Sequence, residues 1–247
     1  MAGGSWNGVA GTKPAHPNAW IKAMFGWTTP VTLSSVQNVT LRSATFFPDV
    51  IRFNTATPNE YYLCENRQMT GFDAGIPGHG LIIYHVDGDH VAASFATNSI
   101  NTSLHQGLYP VCAGAGGNTP STYGTINWTG CPYPGSQSKT SFTDATTPWS
   151  KSWAGASTNL PVTNIYEYLP AQEISFCFVN CYTPADPLNF TATPASTSTI
   201  ALAWAANSAG DPVMVAWNTC PTFGTPADST SYSPGSQIQG GGTVLFT

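Results

Sequence analysis

Charge is what this sequence has least of. Seven Lys or Arg and twelve Asp or Glu make up 8% of its 247 residues, against about a quarter in ordinary soluble domains. So few cations, scattered along the chain, cannot release the counterions of a phosphate backbone, and the net charge of −5 repels one. Nucleic acid is therefore excluded as a partner. No apolar run reaches the roughly 20 residues of a membrane-crossing helix, so no membrane span is expected. The six cysteines form no C-x-x-C pair and have no paired histidine spacing beside them, which excludes a zinc finger or ribbon. Nor is any histidine followed by glutamate. His16, His79, His85, His90 and His105 precede Pro17, Gly80, Val86, Val91 and Gln106, so the H-E-x-x-H pair of zinc ligands is missing. G-x-S-x-G is absent, and Cys64 has no visible partner base. The four Glu and eight Asp fall in no paired pattern of the glycosidase kind. The sequence assigns no catalytic residue and no metal ligand within this chain. The residues after Met1, Ala2-Gly3-Gly4-Ser5, also show neither the charged nor the apolar stretch of a secretory leader.

That last absence conflicts with the composition. An apolar share of 41% can fill a real core, while Ser, Thr, Asn, Gln and Gly must carry the surface, as they do in extracellular proteins. The expected location is secreted or cell surface, and Met1 is expected not to be a natural N-terminus. Cys112 and Cys131 flank a loop rich in Gly, Asn and Thr that a disulfide would tether. Cys177 and Cys181 are candidates for a second bridge, across a bent backbone. Cys64 lies in the apolar run Tyr61–Cys64 and reads as a small buried side chain.

The fold expected is mainly β. The one helix expected spans His16 to Gly26, with Pro17 at its first position and Gly26 as its stop. Val39 and Leu41, then Ile51 and Phe53, alternate with polar residues as strands do. Tyr61–Cys64 and Leu81–Val86 are dense enough for strands buried on both faces. Residues 113–160 read as long ordered loops, and Ile174–Val179 as a closing strand. Tyr182–Pro187 reads as a linker. Leu188–Phe190, Ile200–Trp204, Val213–Trp217 and Gly242–Phe246 then give short strands of a β-sandwich.

Several constellations leave more than one reading open. His85 and Asp87 share a strand face, with Asn101 and His105 downstream, and suit either a cation or a buried hydrogen-bond network. Asp87-Gly88-Asp89 hints at calcium but lacks the D-x-D-x-D-G loop and its distal Glu. Glu65 and Arg67 share a face and suit a structural ion pair. Trp128, Tyr133, Trp149 and Trp153 either stack on sugars, making a surface polysaccharide a partner, or cover a sheet.

Ordered motifs then run across some three-quarters of the chain. They are Met1-Ala2-Gly3-Gly4-Ser5-Trp6-Asn7-Gly8, Pro14-Ala15-His16, Ala19-Trp20, Lys22, Gly26-Trp27, Glu60–Gln68 and Pro77–Asp87. This order resembles the immune inhibitor A group of secreted zinc metallopeptidases in the metzincin clan, fading through Pro134-Gly135 and ending near Phe178. The resemblance implies that Met1 is the methionine of the turn beneath a zinc site whose H-E-x-x-H helix lies upstream. It implies a parent enzyme that hydrolyses proteins or peptides with zinc, and a chain that is inactive alone. Residues 1–30 would end the catalytic domain, and 31–182 would form its β-rich post-catalytic region. Residues 183–247 resemble the first part of a fibronectin type III domain, with Trp204 as its core tryptophan. In that incomplete β-sandwich Val213–Asn218 is expected to show an unpaired edge, because its partner strand is not in the chain.

Overall fold

The structure, a computed structural model, describes residues 7–119, 126, 128–179, 188–206, 213–226 and 231–247. It is mainly β, as expected, and divides into two compact units, Met1–Cys181 and Tyr182–Thr247.

In the first unit a central sheet joins β1 (Val31–Thr32), β3 (Ile51–Asn54), β4 (Glu60–Arg67), β5 (Gly80–Asp87) and β6 (Leu108–Pro110), in that order. β1 runs parallel to β3 and the other pairs are antiparallel. A second, three-stranded sheet orders β2 (Gln37–Leu41), β8 (Glu173–Phe178) and β7 (Val162–Tyr168). Strand alternation explains why β4 and β5 are apolar at nearly every position. Tyr62 and Cys64 of β4, with Leu81 and Ile83 of β5, face a core shared with Val39, Leu41, Phe176 and Phe178 of the second sheet. The intervening Leu63, Tyr84 and Val86 face the opposite way, onto Ala19 and Val91 of the helices α1 (Ala19–Met24) and α2 (Gly88–Ser94). The sheet is therefore covered twice, by strands on one face and helices on the other.

Both helices depart from the sequence reading. α1 begins at Ala19 because the Asn18 side chain accepts from the Ile21 N–H at 2.9 Å and caps the helix, which leaves Pro17 outside it. α2 corrects the expectation of a single helix. Its start is the Asp87-Gly88-Asp89 run, where the Asp87 carboxylate accepts from the His90 N–H at 2.9 Å. A pattern that hinted at calcium is a helix cap.

In the second unit β9 (Leu188–Pro194) pairs with β10 (Ile200–Ala205), and β11 (Val215–Trp217) with β12 (Thr243–Phe246), both antiparallel. Trp204 of β10 meets Phe190 of β9 at 6.5 Å and Phe246 of β12 at 5.3 Å, so one indole joins the two ribbons. β11 has β12 as its neighbour on one side, and among the described residues no strand pairs with its other edge, the unpaired edge expected at Val213–Asn218. Gly240, Gly241 and Gly242, all at positive φ, turn the chain back to make the β11–β12 pairing.

Cys112 and Cys131 form a disulfide across the 19-residue separation. Cys177 is also disulfide-bonded, and its expected partner, Cys181, lies outside the described residues. Cys64 is free and buried, and its thiol pKa is pushed up by that burial; Cys220 is free and exposed. A thiol reagent should therefore label Cys220 in the native protein and Cys64 only after denaturation, read by mass mapping of the labelled peptides. Labelling of Cys64 in the native state would contradict the packing of β4.

Candidate functional site

Chemistry in the first unit concentrates in two places, one on each face of the central sheet. On the helix face Glu65 of β4 is fully buried, and its carboxylate gathers four donors. Lys22 Nζ lies 2.5 Å from it, Arg67 Nη1 3.0 Å, the Tyr84 hydroxyl 2.8 Å and the Ala19 N–H 3.2 Å. Arg67 then forks onto Asp73, with Nε at 2.6 Å from Oδ2 and Nη2 at 2.5 Å from Oδ1. A further Nη2 bond reaches the His16 carbonyl at 2.8 Å. Asp73 also accepts from the His16 N–H at 2.8 Å. Two cations and two carboxylates balance in a site from which water is excluded, the condition under which buried charges are tolerated. Burial alone would raise the Glu65 pKa, but Arg67 and Lys22 outweigh it and hold the carboxyl below its ordinary value. The network ties the segment His16–Lys22 to β4 by charge and directed hydrogen bonds as well as by apolar contact.

Sequence reading finds only part of this cluster. Glu65 and Arg67 pair at 3.0 Å, as their shared strand face suggested. Lys22 and Asp73 were missed. The available signal for Lys22 was a lone cation within the apolar helix Ala19-Trp20-Ile21-Lys22-Ala23-Met24; Asp73, in a turn, offers none.

The other face carries a row of rings across four strands. Phe53, Tyr62, His85 and Tyr109 are register partners on β3 to β6, with centroids 5.1, 5.3 and 4.9 Å apart in turn. His85 Nε2 lies 2.7 Å from Glu60, and both side chains are buried. Glu60 also accepts from the Trp153 N–H at 2.5 Å. Against the upward push of burial, His85 and that N–H keep the Glu60 carboxyl below its ordinary value. Asp87 meets His105 at 3.0 Å, while Asn101 turns away to hold both polar groups of the Leu108 backbone. The predicted His85–Asp87 constellation thus separates into two carboxylate–histidine pairs.

The five histidines do not converge on one point: only His90 and His105 meet, and they do so by stacking their rings. His16 contacts Pro17, His79 Glu167, His85 Glu60, His90 the Ile100 carbonyl and His105 Asp87. Among the described residues no group of three His, Cys, Asp or Glu side chains is arranged to hold a metal. These residues do not fit a zinc or calcium centre. Met1 lies outside the described residues.

The four aromatic residues of the loop region part company. Tyr133 is buried in the inter-sheet core. Trp128 covers Gly114 and Gly130 so closely that a Cβ at either glycine would meet its ring at 2.5 Å. Trp149 and Trp153 also lie at the surface, about as exposed as Trp128. Compared with protein-family models, curated proteins and solved structures, the chain matches none. No helix among the described residues is long and apolar enough to cross a membrane.

Proposed function

We propose that this chain is the C-terminal part of a secreted zinc endopeptidase, from the end of its catalytic domain onward, with the first unit serving as scaffold and carrying no hydrolytic centre of its own. The zinc and its ligands belong to an upstream segment of the parent, and protein or peptide substrates are partners of that parent. The order of motifs from Met1 to Asp87 supports the reading. The observation that carries it is the Lys22–Glu65–Arg67–Asp73 cluster. A segment that follows a metal pocket must be held in one position, and directed bonds among buried charges fix position where apolar contact alone can slide. Helix α1 is held in this way on β4.

Casein hydrolysis tests the proposal. The chain alone, with zinc added, should clear no casein. The same chain extended by its natural upstream coding sequence should clear it, and a chelator should abolish that activity. Zinc-dependent cleavage by the chain alone, or an upstream frame without H-E-x-x-H, overturns the reading.

A further inference from the structure

Trp149 and Trp153 flank a cleft of about 330 Å³ whose lining includes Tyr109, Thr119, Lys151 and both indoles. That volume lies at the small end of ligand pockets. Burial alternates along the run that forms one wall. Ser150 and Ser152 are buried, while Trp149, Lys151 and Trp153 turn outward. The inward hydroxyls are engaged: Ser150 donates to Asp144 at 3.0 Å, and Ser152 accepts from the Ala156 N–H at 3.0 Å.

The outward residues are fixed by their backbones. Asn118 grips Trp149 with both ends of its amide, accepting from its N–H at 2.8 Å and donating to its carbonyl at 2.6 Å. The Tyr62 hydroxyl donates to the Lys151 carbonyl at 2.6 Å, and Glu60 holds the Trp153 N–H. Every second backbone position is thus tied to a side chain from another part of the fold. His105 stacks on Trp153 at 4.2 Å with planes 6° apart, and His90 stacks on His105 at 4.9 Å, which sets the plane of the indole. Yet the indoles stay 38% and 39% exposed. Exposure alone does not mark them, since Trp128 packs over Gly114 and Gly130 and is still 37% exposed; what sets Trp149 and Trp153 apart is that both line one cleft on an anchored loop.

We propose that this cleft binds a neutral glycan. Flat indole faces suit the C–H face of a pyranose ring, and Tyr109, Thr119 and Lys151 offer the hydroxyl and ammonium groups that its own hydroxyls need. Among the described residues no carboxylate lines the cleft and Lys151 is its single cation, so neither a basic nor an acidic peptide finds a matching set of charges there. Because the loop is anchored at three points, little ordering remains to be done on binding. The proposal does not depend on the peptidase reading.

Titration of the full chain with chitotetraose and with cellotetraose, followed by tryptophan fluorescence and calorimetry, tests it; the two arms separate N-acetylated from plain glycans. Saturable binding to at least one is expected, weakened about tenfold or more by Trp149→Ala or Trp153→Ala. Trp153→Phe keeps a flat ring and should retain most of the binding, which separates loss of stacking from loss of fold. Trp217 is more exposed, at 54%, but belongs to the second unit, so Trp217→Ala should bind as the parent does. The proposal is overturned if neither sugar binds, if the Trp149→Ala/Trp153→Ala double variant binds unchanged, if Trp217→Ala loses as much, or if only gelatin peptides occupy the cleft.

Discussion

Replacing Glu65 by Gln is expected to lower the unfolding free energy of the first unit by about 3–5 kcal/mol. Gln keeps the shape and can still accept from the Tyr84 hydroxyl and the Ala19 N–H, so packing is nearly unchanged. What disappears is the charge. Arg67 retains its fork on Asp73, but Lys22, whose side chain is 5% exposed, loses the carboxylate at 2.5 Å that balances its ammonium. A second substitution separates this cause from general damage. Lys22→Met removes the stranded cation with little change of volume, so the Glu65→Gln/Lys22→Met double variant should recover much of the loss. Urea denaturation of the four proteins completes the cycle, and strictly additive losses would refute the clamp. The acid limb follows with a definite sign. Glu65 has a folded pKa below its unfolded value, so its contribution is full above about pH 5 and is lost as pH falls through the lower, folded pKa. The Gln variant should therefore show a flatter fall of thermal midpoint below about pH 4.

Much of the sheet was legible in the sequence, because strand periodicity is local. Val39/Leu41 and Ile51/Phe53 announce one buried face, and the unbroken Leu81–Val86 announces two. β6 and β7 were not legible. Leu108–Pro110 is three residues long, and Val162–Tyr168 carries a register shift between Thr163 and Tyr166 that breaks its alternation. α2 was hidden for another reason, since seven residues with a single buried position, Val91, give no helical stripe. The sites divide in the same way. Glu65 and Arg67 sit two apart on one strand, so geometry alone joins them. Lys22 and Trp153 reach β4 from 43 and 93 residues away, and no local pattern carries such contacts. In the same way, which tryptophan packs over glycines and which flanks the cleft depends on where Gly114, Gly130 and Asn118 arrive in space.

Gly80→Ala should destabilise the first unit by about 3 kcal/mol, from strain and overpacking together. The motif Pro77-Gly78-His79-Gly80 opens β5, and Gly80 holds φ +132°, where a side chain is disfavoured. Space is the harder limit. A Cβ at Gly80 would lie 2.4 Å from the Tyr133 carbonyl oxygen and 3.2 Å from Pro132 Cβ. That carbonyl cannot retreat freely, because it accepts from the Leu81 N–H at 2.7 Å while the Tyr133 N–H donates to the Leu81 carbonyl at 2.9 Å. An alanine must part this pair of bonds and draw Tyr133, 1% exposed, out of contact with the inter-sheet core. Two other glycines divide the cost into its parts. Gly26 has positive φ and open space around its Cβ position, so Gly26→Ala isolates the backbone penalty at about 1 kcal/mol. Gly78 has no positive φ, and its Cβ position lies 3.0 Å from the Thr129 carbonyl, so Gly78→Ala isolates a milder crowding. Thermal midpoints should fall furthest for Gly80→Ala. A Gly80→Ala protein no less stable than Gly26→Ala would mean that the Leu81–Tyr133 bridge does not hold the loop to the sheet. The cleft wall should survive that loss, because Asn118, Tyr62 and Glu60 hold it from positions outside the bridge.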